Sequence, residues 1–317
     1  MDLKQDILDA ATRIRPYARK TTMSYSPSFS ELMNAEVYFK LESQQVTGSF
    51  KARGALNKIL GLPSSEKDKG IVSASTGNHG AAVAYASSKL GIGCSIYVPE
   101  GSSEAKLSNM RDHGAKIMVF GNDCVEAEAK AREVSDLNGT PYVSPYNDIQ
   151  VMVGQGTLGA EIELQSEDLD AIIISVGGGG LIAGTSSYLR LVWPKINIIG
   201  CSPKNSAVMI HSMDAGKILE LESKPTLSDG TAGGVEEDSI TFPLCCDLID
   251  QTVLVTEDEI KSAMILYIQN EHQLLEGAAG TAVATLLKKK DELKGMKVGV
   301  MICGGNIDLD TLRNILN

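Results

Sequence analysis

The sequence predicts an α/β protein of two lobes, each built on a mostly parallel sheet with helices on both faces. From residue 70 onward, short apolar segments alternate with helical patterns, the rhythm of β-α-β units. Residues 171–176 are apolar at almost every position, as expected for a strand that is covered on both faces. The length of 317 residues corresponds to about two domains and allows a sizeable core.

The elements before residue 145 follow from apolar spacing and from the residues that end each pattern. In the first helix, for example, apolar side chains recur at helical spacing until Pro16 stops it. The predicted helices lie at 3–14, 30–33, 55–60, 81–90, 103–113 and 124–137, and the predicted strands at 36–41, 71–75, 95–98, 116–120 and 141–144.

The same alternation continues to the end of the chain, interrupted by a loop-rich stretch at 214–238 that contains turn-forming glycines. The predicted helices here lie at 157–165, 181–192, 206–215, 257–270, 276–289 and 308–316, and the predicted strands at 171–176, 197–202, 254–256 and 297–303.

Composition excludes several classes of partner. A net charge of −11 argues against nucleic acid and anionic membrane surfaces. The six cysteines form no Cys-x-x-Cys pair, which argues against a zinc site or a disulfide framework. The first sixteen residues mix charges without an apolar signal core, and no apolar run approaches transmembrane length. We therefore expect a cytoplasmic protein with no nucleic-acid or membrane partner.

Lys51 is the first candidate catalytic residue. It lies among small residues and one aromatic, Phe50, between a predicted strand and a predicted helix. Small neighbours allow backbone or ligand to come close. A lysine in such a pocket can lose its proton and become an imine-forming nucleophile. An isolated lysine is more often a solvated residue at the start of a helix, so the case for Lys51 depends on the other motifs.

A run of glycines joins the apolar strand to the next helix. Its members are Gly177, Gly178, Gly179, Gly180 and the following Leu181. Converging backbone amides and a helix N-terminus favour an anion, so the run predicts a phosphate cradle. A tight turn alone needs fewer glycines. A nucleotide-dependent oxidoreductase would carry an acidic residue at the next strand end, but residues 201–204 read Cys-Ser-Pro-Lys.

A second strand-to-helix loop is rich in small polar residues. It consists of Ser75, Thr76, Gly77, Asn78 and His79, followed by another glycine. Taken alone, such residues are equally typical of an ordinary helix N-cap.

Together these motifs resemble the fold-type II pyridoxal-phosphate enzymes, the threonine dehydratase and serine racemase group. The resemblance extends from about Phe39 to Asn306 and rests on four motifs in the family's order: residues 48–55, 75–80, 177–181 and 302–306. It implies a fold like the tryptophan synthase β subunit. The large cofactor-binding domain would then span residues 1–69 and 145–317, and a small domain 70–144 would carry the substrate-carboxylate loop.

The resemblance also implies roles for individual residues. Lys51 would hold pyridoxal 5'-phosphate, with Phe50 beside it, and residues 177–181 would bind the phosphate. Asn78 would hydrogen-bond the cofactor ring oxygen, and residues 75–79 would bind the substrate carboxylate. Cys303 would face the pyridine nitrogen. Thr76 falls where serine racemases place their second acid-base serine. Glu276 lies in a stretch that approaches the cofactor in the family, and no role is assigned to it.

The implied activity is that of an ammonia-lyase, which converts a small β-hydroxy amino acid, L-serine or L-threonine, to a 2-keto acid and ammonia. The alternatives are a serine racemase, a dehydratase of a bulkier or acidic β-hydroxy amino acid, and a binding module that keeps the fold without turnover. A homodimer is the family's usual form. No metal site is expected, because residues 201–208 lack the carboxylates that bind a cation in metal-activated relatives.

Overall fold

The computed structural model describes residues 2–317, apart from the side chain of Ala105. The strands are β1 Met23–Tyr25, β2 Glu36–Leu41, β3 Ile71–Ala74, β4 Cys94–Val98, β5 Lys116–Val119, β6 Ala171–Ser175, β7 Asn197–Pro203, β8 Gln251–Val255 and β9 Lys297–Ile302. The helices are α1 Leu3–Ile14, α2 Pro27–Met33, α3 Lys51–Gly61, α4 Ser64–Lys67, α5 Asn78–Lys89, α6 Glu104–Asp112, α7 Cys124–Asn138, α8 Ile149–Glu163, α9 Gly180–Val192, α10 Val208–Ala215, α11 Thr241–Leu248, α12 Glu257–Glu271, α13 Gly277–Lys288 and α14 Leu309–Leu316.

The strands form two sheets. The larger has the order β1-β2-β9-β6-β7-β8 and is parallel except for β1, which pairs antiparallel with β2 at one edge. The smaller has the order β3-β4-β5 and is parallel. The predicted strand at 141–144 is reduced to a single bridge between Tyr142 and Val72. Parallel strands end at the same edge of a sheet, so the loops that follow them are brought together there.

The strand β6 lies near the centre of the larger sheet and is buried at every position, as its apolar sequence predicts. Its neighbour β9 is the last strand of the chain and leads into the motif at residues 302–306. It pairs with both β2 and β6. The last strand in the chain therefore fills the middle of the sheet, next to the strand that leads into the glycine run.

The helix α8 begins at Ile149, eight residues before the helix that the sequence predicts at 157–165. Its first half is rich in glycine, which hides the helical pattern. Gly154 explains this composition, because a Cβ added there would lie 2.7 Å from the carbonyl oxygen of Arg53 in α3. The missing side chain lets α8 pack directly against the helix that begins at Lys51.

A buried ion network fixes α3. The guanidinium of Arg53 contacts Glu42 through Nε and Glu161 through Nη1, both at 2.8 Å, and Lys40 Nζ lies 2.8 Å from the second Glu161 oxygen. Burial lowers the pKa of Arg53, but the two carboxylates outweigh it and the pKa is raised overall. Removal of one partner from a buried network costs about 3–5 kcal/mol. The network therefore holds Arg53, and with it the start of α3, in one place.

Within residues 2–317, no helix combines the length and the apolar character that would be needed to cross a membrane.

Candidate active site

The lysine motif lies against the end of β9. The amide of Phe50 donates to the carbonyl of Cys303 at 3.0 Å, and the amide of Gly305 donates to the carbonyl of Gly48 at 2.9 Å. These bonds frame an isolated bridge between residues 49 and 304. Phe50 and Cys303, 253 positions apart in sequence, are thus adjacent, and Lys51 begins α3 beside Cys303.

The amine of Lys51 is half-buried and directed into this site. Its Nζ donates a hydrogen bond to the carbonyl of Pro145 at 2.9 Å and lies 5.2 Å from the centre of the Phe50 ring. Burial lowers the pKa of Lys51 to about 8, against an opposing effect of Cys303 and Glu276. A useful fraction of the amine is therefore neutral and nucleophilic near physiological pH.

The thiol of Cys303 is buried at the end of β9. Burial raises its pKa well above the ordinary value, and Glu276 adds to the effect. Cys303 therefore presents a neutral thiol, and it places no full charge beside Lys51.

The glycine run joins β6 to α9, and its first three backbone amides have no hydrogen-bond acceptor among the described residues. Gly179 has a φ of +83°, and α9 begins without a side-chain cap. Among the described residues, no hydrogen bond from the amides of Gly177, Gly178 or Gly179 is present. Unsatisfied amides at a positive helix end form a site for an anion.

Tyr146 connects this cradle to the lysine. A Cβ added at Gly178 would lie 2.5 Å from Cγ of Tyr146, so the glycine permits the close approach of the ring. The hydroxyl of Tyr146 accepts a hydrogen bond from the amide of Glu236 at 2.9 Å, and the hydroxyl of Thr241 donates to the carbonyl of Gly178 at 2.6 Å. Tyr146 follows Pro145, so one segment contacts both Lys51 and the cradle. No motif in the sequence marks this segment.

The polar loop after β3 ends at α5, whose N-cap is Gly77 and which also lacks a side-chain cap. The amide of Gly77 donates to Ser75 Oγ at 3.2 Å. The carboxamide of Asn78 donates from Nδ2 to both oxygens of Glu276 at 2.9 Å. The loop is therefore joined to the beginning of α13, and the uncapped start of α5 is a helix end that favours an anion.

Two side chains of this loop lie elsewhere. The ring of His79 is only 3% exposed, and its Nε2 lies 2.9 Å from the carbonyl of Val143. Burial lowers the pKa of His79 to about 3, so the ring is neutral. Thr76 is half-buried, and its hydroxyl lies beside the thiol of Cys124. At the start of α5, His79 therefore contributes its backbone rather than its ring.

Glu276 and Asn306 are polar residues at the centre of the site to which the sequence assigns no function. Glu276 is 4% exposed, and burial raises its pKa to about 7, with Asp229 as a further cause and Asn78 opposing. Asn306 donates from Nδ2 to Asn78 Oδ1 at 2.7 Å and to the carbonyl of Thr47 at 2.8 Å. These contacts connect the lysine motif, the polar loop and the end of β9.

In the part of the chain that the structure describes, no group of three or more His, Cys, Asp or Glu side chains is placed to hold a metal ion.

Comparison with known proteins agrees with this arrangement. The chain is 38% identical over 313 residues to an L-threonine ammonia-lyase of Thermotoga maritima, covering 99% of this chain and 78% of the relative. It is 38% identical over 317 residues to a serine racemase of Dictyostelium discoideum, covering 99% and 97%. The solved structure of the processed form of threonine deaminase isoform 2 from Solanum lycopersicum superposes with a TM-score of 0.93 at 32% identity, covering 99% and 92%.

These relatives share the α/β fold with parallel sheets that the sequence predicts. The family described as "Pyridoxal-phosphate dependent enzyme" matches residues 14–304, from the end of α1 to the glycine after Cys303. The match includes Lys51, the polar loop and the glycine run. The chain therefore belongs to the pyridoxal-phosphate dependent enzymes.

Proposed function

We propose that this protein is an ammonia-lyase that converts L-threonine or L-serine to the 2-keto acid and ammonia. The observation that carries the proposal is the position of Lys51. Its amine has a lowered pKa and lies between a neutral buried thiol and the segment that packs on the glycine run. The L-threonine ammonia-lyase of Thermotoga maritima, 38% identical, supports the choice of substrate.

The residues of the site fit pyridoxal 5'-phosphate. The unpaired amides of Gly177 to Gly179 and the start of α9, which includes Gly180 and Leu181, suit a single phosphate group. Lys51 supplies the amine, with Phe50 beside it, and Asn78 a carboxamide donor for the ring oxygen. Cys303 would face the pyridine nitrogen as a neutral thiol.

The bound cofactor supplies an electron sink for negative charge at the substrate α-carbon. The amides at the start of α5, the backbone of Thr76 and the hydroxyl of Ser75 bind and orient the substrate carboxylate. Lys51 Nζ, part of which is neutral because burial lowers its pKa to about 8, removes the α-proton. The β-hydroxyl then leaves as water, and hydrolysis of the released product gives the keto acid and ammonia.

We further propose the domain arrangement that the family resemblance implies. Residues 70–144, which include the three-stranded sheet, would form a small domain that carries the carboxylate loop, and 1–69 with 145–317 the large domain. A homodimer in the cytoplasm is the proposed form. The six cysteines, none of which is in a disulfide, are consistent with a reducing compartment.

A serine racemase is the second candidate. It is favoured by the 38% identity to the Dictyostelium discoideum serine racemase over almost the whole of both chains. The two activities share the first step, removal of the α-proton by a lysine, and differ in whether a second group returns a proton on the opposite face.

The test of the proposed function is a comparison of the wild type with Lys51→Ala. The wild type loaded with pyridoxal phosphate should show a visible absorbance band that borohydride removes, and keto acid should form from L-threonine or L-serine. Lys51→Ala should lose both. The exposed Lys89→Ala is the matched control and should keep both. A borohydride-sensitive band in Lys51→Ala would show that another lysine holds the cofactor.

A further inference from the structure

The carboxamide of Asn78 is held from two sides. Its Nδ2 lies 2.9 Å from each oxygen of Glu276, and its Oδ1 accepts a hydrogen bond of 2.7 Å from Asn306 Nδ2. Glu276 is itself fixed, because its Oε2 also accepts from the amide of Asn306 at 3.3 Å. Asn306 uses its second Nδ2 proton on the carbonyl of Thr47. Asn78, Glu276 and Asn306 thus form a closed network, and Asn306 connects it to Thr47.

This network determines which way the carboxamide faces. In its ionised form, which prevails above the pKa of about 7, Glu276 only accepts hydrogen bonds and so selects the NH₂ end of Asn78. The NH₂ group of Asn306 only donates, so it selects the oxygen end. A flip of the Asn78 carboxamide would place oxygen against carboxylate and NH₂ against NH₂. Glu276 and Asn306 therefore favour the same orientation of Asn78 for complementary reasons.

The network also leaves one proton of Asn78 available. Both oxygens of a single carboxylate lie in nearly the same direction from Nδ2, whereas the two N–H bonds of an amide diverge widely. One N–H is thus shared between the oxygens of Glu276, and among the described residues no other acceptor hydrogen-bonds to Nδ2.

We infer that Glu276 and Asn306 are positioning residues that hold Asn78 with its free Nδ2 proton directed at the cofactor ring oxygen. The inference rests on the proposed function, in which Asn78 meets that oxygen. Neither residue needs to touch the cofactor, since each acts through the orientation of Asn78. The network also reaches Thr47, so the same contacts align Asn78 with the loop that leads to Lys51.

The test compares two cofactors, pyridoxal phosphate and 3-deoxypyridoxal phosphate, which lacks only the ring oxygen. Their dissociation constants are measured by titration of the cofactor-free protein. Glu276→Gln introduces an NH₂ group among donors, and Asn306→Ala removes the donor to Asn78 Oδ1. Each variant should weaken the binding of pyridoxal phosphate about tenfold, the loss of about 1.4 kcal/mol. Each should leave binding of the deoxy analogue within about twofold of the wild type.

The control is Glu292→Gln, an exposed glutamate that pairs only with Lys289, and it should change neither constant. Thermal unfolding of the cofactor-free variants reports on folding separately. Because Asn306 is exposed, Asn306→Ala carries the comparison even where Glu276→Gln does not fold. In addition, Glu276→Gln should have no further effect in an Asn78→Ala background, because it acts through Asn78.

Equal weakening of both cofactors would overturn the inference, because a structural role would give that result. An unchanged affinity for pyridoxal phosphate would overturn it as well. If Asn78→Ala fails to discriminate between the cofactors, Asn78 does not meet the ring oxygen and the inference fails. The lyase proposal would still stand in each case, since it depends on the separate result for Lys51→Ala and keto acid formation.

Discussion

The amide of Phe50 and the carbonyl of Cys303 are joined by a hydrogen bond of 3.0 Å. This bond fixes the residue before Lys51 to the end of the central strand β9. The backbone that carries Lys51 is therefore held in place, and its amine lies where burial lowers the pKa. The site is thus built on the sheet itself, and its properties can be tested by changes that leave the sheet intact.

Cofactor loading should depend on pH through Lys51. Burial lowers the pKa of its amine to about 8, so the neutral fraction rises about tenfold per pH unit below that value and levels off above it. The rate at which cofactor-free protein takes up pyridoxal phosphate should follow this curve in stopped-flow absorbance. Lys89→Ala should give the same profile. A rate that keeps rising to about pH 10, the range of an ordinary lysine, would contradict the lowered pKa.

Gly178→Ala should weaken cofactor binding by about tenfold or more. The new Cβ would lie 2.5 Å from Cγ of Tyr146, closer than carbon atoms approach, so the ring and the glycine run must separate. Fluorescence titration with pyridoxal phosphate measures the effect. Gly61→Ala is the control, because nothing lies within 4 Å of its added Cβ. Equal affinity in the two variants would show that the cradle tolerates a side chain.

Activity should not require a divalent cation. Hard cations bind oxygen ligands, usually including carboxylates, and the end of β7 carries Cys201 and Ser202 followed by the basic Lys204. Keto acid formation by the holoenzyme should therefore change little after treatment with a chelator, and little again after addition of magnesium or calcium. Strong activation by either ion would contradict this expectation.

Elimination should dominate over racemisation. Thr76 falls where serine racemases place a serine, but its β-branch restricts rotation, and its hydroxyl lies beside the thiol of Cys124. A hydroxyl is also a poor proton carrier unless a neighbour lowers its pKa. With L-serine, chiral chromatography should show far less D-serine than pyruvate.

Formation of D-serine as fast as pyruvate would refute the lyase assignment. Thr76→Ala should in that event abolish racemisation and spare elimination from the L-isomer. Thr76→Ser is the complementary variant, because it keeps the hydroxyl and removes the methyl group.

Much of the fold was predictable because its signals are local. The apolar run of β6 and the glycines that follow it mark a buried strand and an anion site within eleven residues, 171–181. The small residues around Lys51 mark a pocket in the same way. Where a few adjacent residues define both the backbone and the chemistry, sequence and structure agree.

The parts that the sequence did not reveal depend on distant contacts. The glycines of α8 are typical of a helix break, and only the close contact of Gly154 with Arg53 explains why they occur within a helix. The edge strand β1 has only three residues, too few to show a period, and the helix α11 contains Pro243, a residue typical of a helix break. Pro145 contributes only a carbonyl oxygen to the site, and a carbonyl has no sequence signature. The role of Asn306 depends on its hydrogen bond to Asn78, which lies 228 positions earlier in the sequence.

The central position of β9 has a consequence for the order of events during synthesis on the ribosome. The strands β1 and β2 are joined to the rest of their sheet only through β9. The carbonyl of Thr47 accepts its hydrogen bond from Asn306, 259 positions later in the chain. A nascent chain that has already exposed Lys51, the polar loop and the glycine run still lacks the strand that joins them. We therefore expect cofactor capture to follow release of β9 from the exit tunnel.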